Sequence, residues 1–150
     1  MVPIIKEPEA VIIEHTMKVL LVDDQAYSFT PLEERLSALG YELVRRIDAS
    51  EGLKEALALH KAGELRLVIL DIIMKAGPMI SDWTGGRESG VVLAEQLRKE
   101  GVPVPIVFFT VVSDDQLKSR AMCIANSRYI GKIPAQSIAD IVARTLQRSQ

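Results

Sequence analysis

Lys18-Val-Leu-Leu-Val-Asp-Asp24 is a nearly unbroken apolar run that stops at two carboxylates. It is too short for an independent helix and carries β-branched valines. A continuous run of this kind is what a strand buried on both faces of a parallel sheet requires. Similar runs recur at Leu67-Val-Ile-Leu-Asp71, at Val104-Pro-Ile-Val-Phe-Phe-Thr110 and, more weakly, at Tyr129-Ile-Gly. Tyr41-Glu-Leu-Val-Arg-Arg-Ile47 alternates in part and reads as an edge strand.

Helical periods lie between these runs. Leu32, Leu36 and Leu39 share a face that ends at Gly40, a good carboxyl-terminal stop. Ser50 is placed to cap a helix carrying Leu53, Ala56, Leu57 and Leu59, with Gly63 closing it. Val92, Leu93, Ala94 and Leu97 give the next period, Ser113-Asp-Asp115 a cap before Leu117 and Met122, and Ile138, Ile141, Val142 and Thr145 the last. Pro31 interrupts the first helix. Either Thr30 caps a late start, with Pro31 at the first position and Glu33 completing a capping box, or the helix kinks there. Five strand–helix units result. Strands joined through helices run parallel with right-handed crossovers, so the fold expected is an open, doubly wound α/β sheet.

The composition agrees. The chain has 150 residues, 48% hydrophobic and 25% charged, the profile of one globular domain able to bury about 70% of its unfolded surface without a staple. One cysteine, Cys123, excludes an internal disulfide, fits a cytoplasmic setting, and is expected in the core. A net charge of −2 speaks against a broad nucleic-acid surface, and the bases Arg45, Arg46, Arg98 and Lys99 read as solvated among acids. The apolar runs are far short of the roughly 20 residues of a membrane span, and the amino terminus has no signal pattern. Residues 1–16 stand outside the α/β pattern as an extension, with 17–150 as the domain; Val11-Ile-Ile13 is placed to add a strand, pack on the sheet edge or mediate a homodimer.

In an open α/β sheet, functional side chains gather at the carboxyl ends of the strands. Here those positions hold Asp23 and Asp24, Asp71, Thr110 and Lys132. Three neighbouring carboxylates repel, and a hard divalent cation with oxygen ligands relieves them; magnesium suits such a site because it keeps waters and phosphate oxygens as its other ligands. Lys75 to Ser89 has no clear period and carries Gly77, Gly85 and Gly86. A loop of that length in a compact domain is usually functional or mobile.

As a set, Val19-Leu-Leu-Val-Asp-Asp24, Leu67-Val-Ile-Leu-Asp71-Ile-Ile-Met74, Val107-Phe-Phe-Thr110 and Tyr129-Ile-Gly-Lys132 resemble a response-regulator receiver domain of two-component signalling, over residues 17 to 148. The resemblance implies a flavodoxin-like strand order, 2-1-3-4-5. It implies that Asp71 accepts a phosphoryl group from a histidine kinase or phosphotransfer protein as an acyl phosphate. Asp24 and Asp71 would ligate Mg2+, Asp23 would act mainly through water, and the Ile73 backbone carbonyl would complete the set. Lys132 would pair with the phosphoryl oxygens and Thr110 would hydrogen-bond to one. The Thr110 hydroxyl moving inward would let Tyr129 turn in and alter a surface read by a downstream protein.

The departures are local. Lys75 stands where the family has proline, Ile133 separates Lys132 from Pro134 at the fifth-strand turn, and Val111 stands where a smaller residue is common. The glycine that the family places soon after the methionine corresponds to Gly90, 19 residues after Asp71. Asp82, Trp83, Arg87 and Glu88 are thereby expected on an enlarged lid beside the site, gating it or touching a partner.

Other signals carry less. Gly85-Gly-Arg-Glu-Ser-Gly90 lacks the Gly-Lys-Ser/Thr ending of a phosphate loop, and His15 and His60 have no partner at ligand spacing. With no helix-turn-helix before Gln150, a stand-alone receiver whose output is protein binding is expected, not direct contact with nucleic acid. One alternative is a receiver-like module that binds a protein without phosphorylation. The other, a haloacid-dehalogenase-type phosphohydrolase, needs an Asp two residues after the nucleophile, where this chain has Ile73.

Overall fold

The computed structural model describes residues 16–133 and 137–148. The expectations for Val11 to Ile13, His15 and the turn at Pro134 lie outside them. Five strands form one parallel sheet: β1 (Lys18–Val22), β2 (Glu42–Arg46), β3 (Leu65–Leu70), β4 (Ile106–Thr110) and β5 (Ser127–Gly131), in the order β2-β1-β3-β4-β5. The helices between them are α1 (Thr30–Ala38), α2 (Ala49–Lys61), α3 (Ser89–Lys99), α4 (Asp115–Met122) and α5 (Ile138–Arg148). The fold is the flavodoxin-like α/β sheet expected from the sequence.

The apolar runs have no alternation because both of their faces are covered. Leu20, Val22, Val68, Leu70, Ile106 and Phe108 pack with α2 and α3, while Val19, Leu21, Leu67, Ile69, Val107 and Phe109 pack with α1 and α5. Consecutive strand residues thus feed two cores in turn, which is the two-residue pleat read through a continuous hydrophobic run. The edges β2 and β5 bury one residue each, Leu43 and Ile130.

Local endings differ from expectation in four places. The helix α1 does start late, with Pro31 in its first turn, but Thr30 makes no capping bond and lies within the helix. Asp48, not Ser50, caps α2 by accepting from the Glu51 N–H at 2.8 Å. Asp114 caps α4 in the same way, through the Leu117 N–H at 3.0 Å, within the Ser113-Asp-Asp115 cap expected there. Cys123 is exposed at the end of α4 and not in the core, because that eight-residue helix buries only Ala121. Arg98 is no mere solvated base. Its guanidinium binds the carbonyls of Val102, Val104 and Ala125 at 2.6 to 3.0 Å and ties the end of α3 to two loops.

Candidate functional site

Parallel strands put every strand-to-helix connection on one rim, and the polar residues meet there. The β1 chain leaves the sheet at Asp23, whose side chain is 1% exposed. One carboxylate oxygen accepts from the Gln25 N–H at 2.8 Å and the other from the Lys132 ammonium at 2.9 Å. Asp71 follows β3, and its N–H still donates to the Val22 carbonyl at 3.0 Å, continuing the β1–β3 ladder. Its Oδ1 accepts from the Ile72 N–H at 2.7 Å and its Oδ2 from Lys132 at 2.9 Å.

Lys132 is placed by the sheet. Its N–H donates to the Thr110 carbonyl at 2.8 Å, one step beyond the Thr110–Gly131 pairing, and its ammonium stands 5.5 Å from the Phe109 ring centre. Burial works against its charge, but the hydrogen bonds and negative charges of Asp23 and Asp71 outweigh that. Its pKa is held above the ordinary lysine value.

Asp24 is exposed, and one carboxylate oxygen from each of Asp23, Asp24 and Asp71 lies within 4.8 Å of the others. Three carboxylates against one ammonium leave an excess of negative charge, and all the donors are hard oxygens. That donor set fits a hard divalent cation.

Thr110 is fully buried at the end of β4, with its hydroxyl accepting from the Val112 N–H at 3.2 Å. The Tyr129 hydroxyl donates to the Val112 carbonyl, so both expected switch residues meet at one residue of the β4–α4 connection. Burial, followed by the charges of Asp71 and Asp114, holds the Tyr129 phenol above its usual pKa. Ile73 carries a half-exposed side chain on the rim.

The Lys75–Ser89 segment is an ordered excursion. Its first part lies on α2: the Ala49 N–H donates to the Lys75 carbonyl, the Ser50 N–H and hydroxyl to the Ala76 carbonyl, and the Met79 N–H to the Ser50 hydroxyl at 2.7 Å. Ile80 is buried in the core. The second part closes on Asp82. Its carboxylate accepts from the Thr84 N–H at 2.9 Å, the Thr84 hydroxyl, the Glu88 N–H at 3.2 Å and the Ser89 hydroxyl at 2.7 Å. Burial raises the Asp82 pKa, but these four donors outweigh it, and the net shift is downward. Glu88 pairs with Arg120 of α4 at 2.8 Å, and Arg120 also reaches Glu95 at 2.6 Å.

The segment rejoins the site at Gly90. A Cβ there would lie 1.9 Å from the Asp71 carbonyl oxygen, and the Gly90 N–H donates to the Ile72 carbonyl at 2.9 Å. That contact admits only glycine, so the long loop leaves from and returns to the backbone of the phosphoacceptor candidate. Of the expected lid residues, Asp82 and Glu88 hold the loop in place, while Trp83 and Arg87 face solvent, Trp83 at 90% exposure. Ile80 and Arg120 carry no signal in the sequence, and Ser50 only that of a helix cap. Their partners lie 25 to 32 residues away in the chain or in the core, and no local spacing signals such contacts.

A doubly wound sheet with an acidic trio and a lysine at its carboxyl edge is the arrangement that the resemblance to receiver domains implies. The sequence matches the response regulator receiver domain family over residues 19–143, and the chain belongs to that family. A similar curated relative is the probable transcriptional regulator ycf27 of Porphyridium aerugineum, 33% identical over 115 residues, which cover 77% of this chain and 41% of that protein. The chain thus spans less than half the length of that relative. Among solved structures, the CheY-like receiver domain protein of Methanospirillum hungatei JF-1 superposes with a TM-score of 0.64 at 20% identity, covering 89% of this chain and 95% of its own. The CheX-CheY-BeF3-Mg+2 complex of Borrelia burgdorferi includes a chain with a TM-score of 0.63 at 16% identity, covering 88% and 87%. At these identities the two structures speak for the fold alone.

Proposed function

We propose that this domain accepts a phosphoryl group on Asp71 from the phosphohistidine of a kinase or phosphotransfer protein and signals by a protein-binding surface that changes with phosphorylation. The observation that carries this is the Lys132 ammonium held at 2.9 Å from both Asp71 and Asp23. An Asp71 oxygen attacks phosphorus, the P–N bond breaks, and the imidazole leaves with the electron pair. Lys132 is placed to follow the negative charge from the carboxylate to the phosphoryl oxygens. The self-catalysed transfer and slow hydrolysis of the acyl phosphate are its only chemistry.

Asp24 and Asp71, with Asp23 and the Ile73 carbonyl, would hold Mg2+. When bound, the ion lowers the repulsion between the carboxylates and the incoming phosphoryl group. Thr110 exchanges its Val112 N–H for a phosphoryl oxygen, and Tyr129, bonded to the same residue, follows. The name of the Borrelia complex includes Mg and a fluoroberyllate, which is in keeping with this reading. We place the domain at residues 17–150 after a 16-residue extension, in the cytoplasm. Pairing of two copies is a further property to measure.

The test is intact mass after incubation with acetyl phosphate and Mg2+, for the wild type and Asp71→Asn. A Mg2+-dependent gain of one phosphoryl group, absent from the variant, is expected. No gain in the wild type, together with no response to beryllofluoride, would leave a receiver-like module that binds its partner without phosphorylation.

A further inference from the structure

The helix α4 is seated lightly. It buries only Ala121 of its eight residues, whereas its neighbour α3 buries Val91, Leu93, Ala94 and Leu97. Charge supplies what hydrocarbon does not. The Arg120 guanidinium of α4 donates to the Glu88 carboxylate at 2.8 Å and to both oxygens of Glu95 at 2.6 and 3.1 Å. Both acceptors stand on fixed ground. Glu95 lies on α3, and Glu88 immediately precedes that helix, with its N–H on the Asp82 carboxylate at 3.2 Å. Two residues on, Gly90 is pressed against the Asp71 carbonyl oxygen. A charge-assisted fork of three bonds therefore ties a lightly seated helix to a body that is joined to the Asp71 backbone.

The same helix touches both switch residues. Val112, two residues before the Asp114 cap, is bonded to the Thr110 and Tyr129 hydroxyls, and the Lys118 ammonium of α4 stands 5.4 Å from the Tyr129 ring centre. On the proposed function, Thr110 and Tyr129 change partners, and the start of α4 must shift with Val112. The loop end that carries Glu88 cannot follow, because Gly90 has no room to move against Asp71. We infer that Arg120, with Glu88 and Glu95, is a latch that holds α4 in the arrangement in which Thr110 and Tyr129 both bind Val112, and that it opposes the phosphorylation switch. The inference deepens the proposed function and rests on it.

A latch acts only through the difference in its strength between two arrangements. The side chains of Arg120 and Glu95 are 38% and 42% exposed, so water screens their attraction, while Glu88 is more sheltered. That strength suits a brake and not a lock, with the equilibrium shifting about two- to fivefold when the fork is lost. The helix also has space to move. A cleft of about 420 Å³ lies between the loop and α4, lined by Thr84 and Arg87 on one side and Asp114, Gln116 and Leu117 on the other. The long loop thus has a task in the switch, which is to bring Glu88 to Arg120.

The experiment titrates the full chain with beryllofluoride in the presence of Mg2+, read by 19F NMR, beside urea unfolding without the ligand. Arg120→Ala is expected to bind beryllofluoride about two- to fivefold more tightly than the wild type. Glu88→Gln is expected to shift binding the same way by less, and the double variant to bind no more tightly than Arg120→Ala. Molar salt screens the pairs and should narrow the gap between wild type and Arg120→Ala. Unchanged binding by Arg120→Ala, whatever its stability, would make the fork structural only and overturn the inference. Weaker binding would overturn it too, and would show that the fork supports the switched arrangement. Should Arg120→Ala fail to fold, Glu88→Gln and the salt dependence of the wild type decide in the same terms. No binding of beryllofluoride by the wild type, with no labelling by acetyl phosphate, would remove the proposed function itself and the latch with it.

Discussion

Two regions meet at one rim and are built in opposite ways. The acidic pocket is assembled from single residues at the ends of four strands, each fixed by backbone ladders that the sheet forms in any case. The 75–89 loop is held by a few side chains, Ser50, Ile80, Asp82 and Arg120, acting on backbone that has no ladder apart from one isolated bridge between Asp48 and Lys75. The pocket inherits its precision from the fold, and the loop has to supply its own. Substitutions should therefore act on the pocket through close packing and charge, and on the loop through loss of individual hydrogen bonds.

The largest effect is expected where the two regions touch. Gly90→Ala places a methyl group where 1.9 Å is available to the Asp71 carbonyl oxygen, and neither backbone segment is free to yield. A loss of about 3 kcal/mol or more in urea unfolding is expected, with failure of Asp71 labelling in the fraction that folds. A loss below about 1 kcal/mol would mean that the loop moves away from β3 as a unit, and that the two regions are less firmly joined than the structure indicates.

Lys132→Ala comes next. It removes the cation shared by two buried carboxylates, and breaking a buried pair on one side costs about 3–5 kcal/mol, less here because the lysine side chain is 19% exposed. The variant should be stabilised by millimolar Mg2+ more than the wild type is, since the ion would take over the neutralising charge. No Mg2+ effect on the melting of either protein would show that no cation binds among the three carboxylates.

Asp82→Asn tests the loop. It keeps the shape but loses the charge that four donors address, at a cost of about 1 kcal/mol, as for a helix cap. The sign with pH follows from the lowered pKa of Asp82. Its contribution is complete above the unfolded carboxyl value of about 3.9 and is lost as pH falls through the lower folded value. The gap between wild type and Asp82→Asn should thus close in acid, below about pH 4. A gap that stays constant down to pH 2 would assign the loss to amide packing instead.

This contrast also explains what the sequence made legible. A strand buried on both faces must be a continuous apolar run, and its first polar residue marks where it leaves the sheet, so Asp23, Asp71, Thr110 and Lys132 could be found by counting. The edge strand β2 and the glycine stops at Gly40 and Gly63 are equally local signals. Long-range placement was not legible. Ser50 looks like a helix cap but is a loop anchor, because its partner, the Ala76 carbonyl, lies 26 residues on. Asp82 looked like a surface acid of a lid, yet its donors turn it inward. Cys123 matched an apolar helical face, and the short α4 leaves that position in solvent. Gly90 is recognisable in the sequence as displaced, but the reason it must be glycine is a contact with the Asp71 backbone that no local spacing signals.

The smallest effect on stability is expected at Trp83, and its smallness sharpens the comparison most. A side chain 90% exposed has little contact to lose, so Trp83→Ala should change the unfolding free energy by no more than about 0.5 kcal/mol. Trp83 is the one tryptophan of the chain, so its emission should be red-shifted and readily quenched by acrylamide in the wild type, and in Asp82→Asn it should remain so. A stability loss above about 1 kcal/mol, or a shielded emission, would mean that the indole packs against the domain in solution. Its role would then be structural, like that of Ile80. If stability is unchanged and the emission is exposed, folding gives no reason for a large aromatic residue at that position. The reason must then lie outside the fold of the domain.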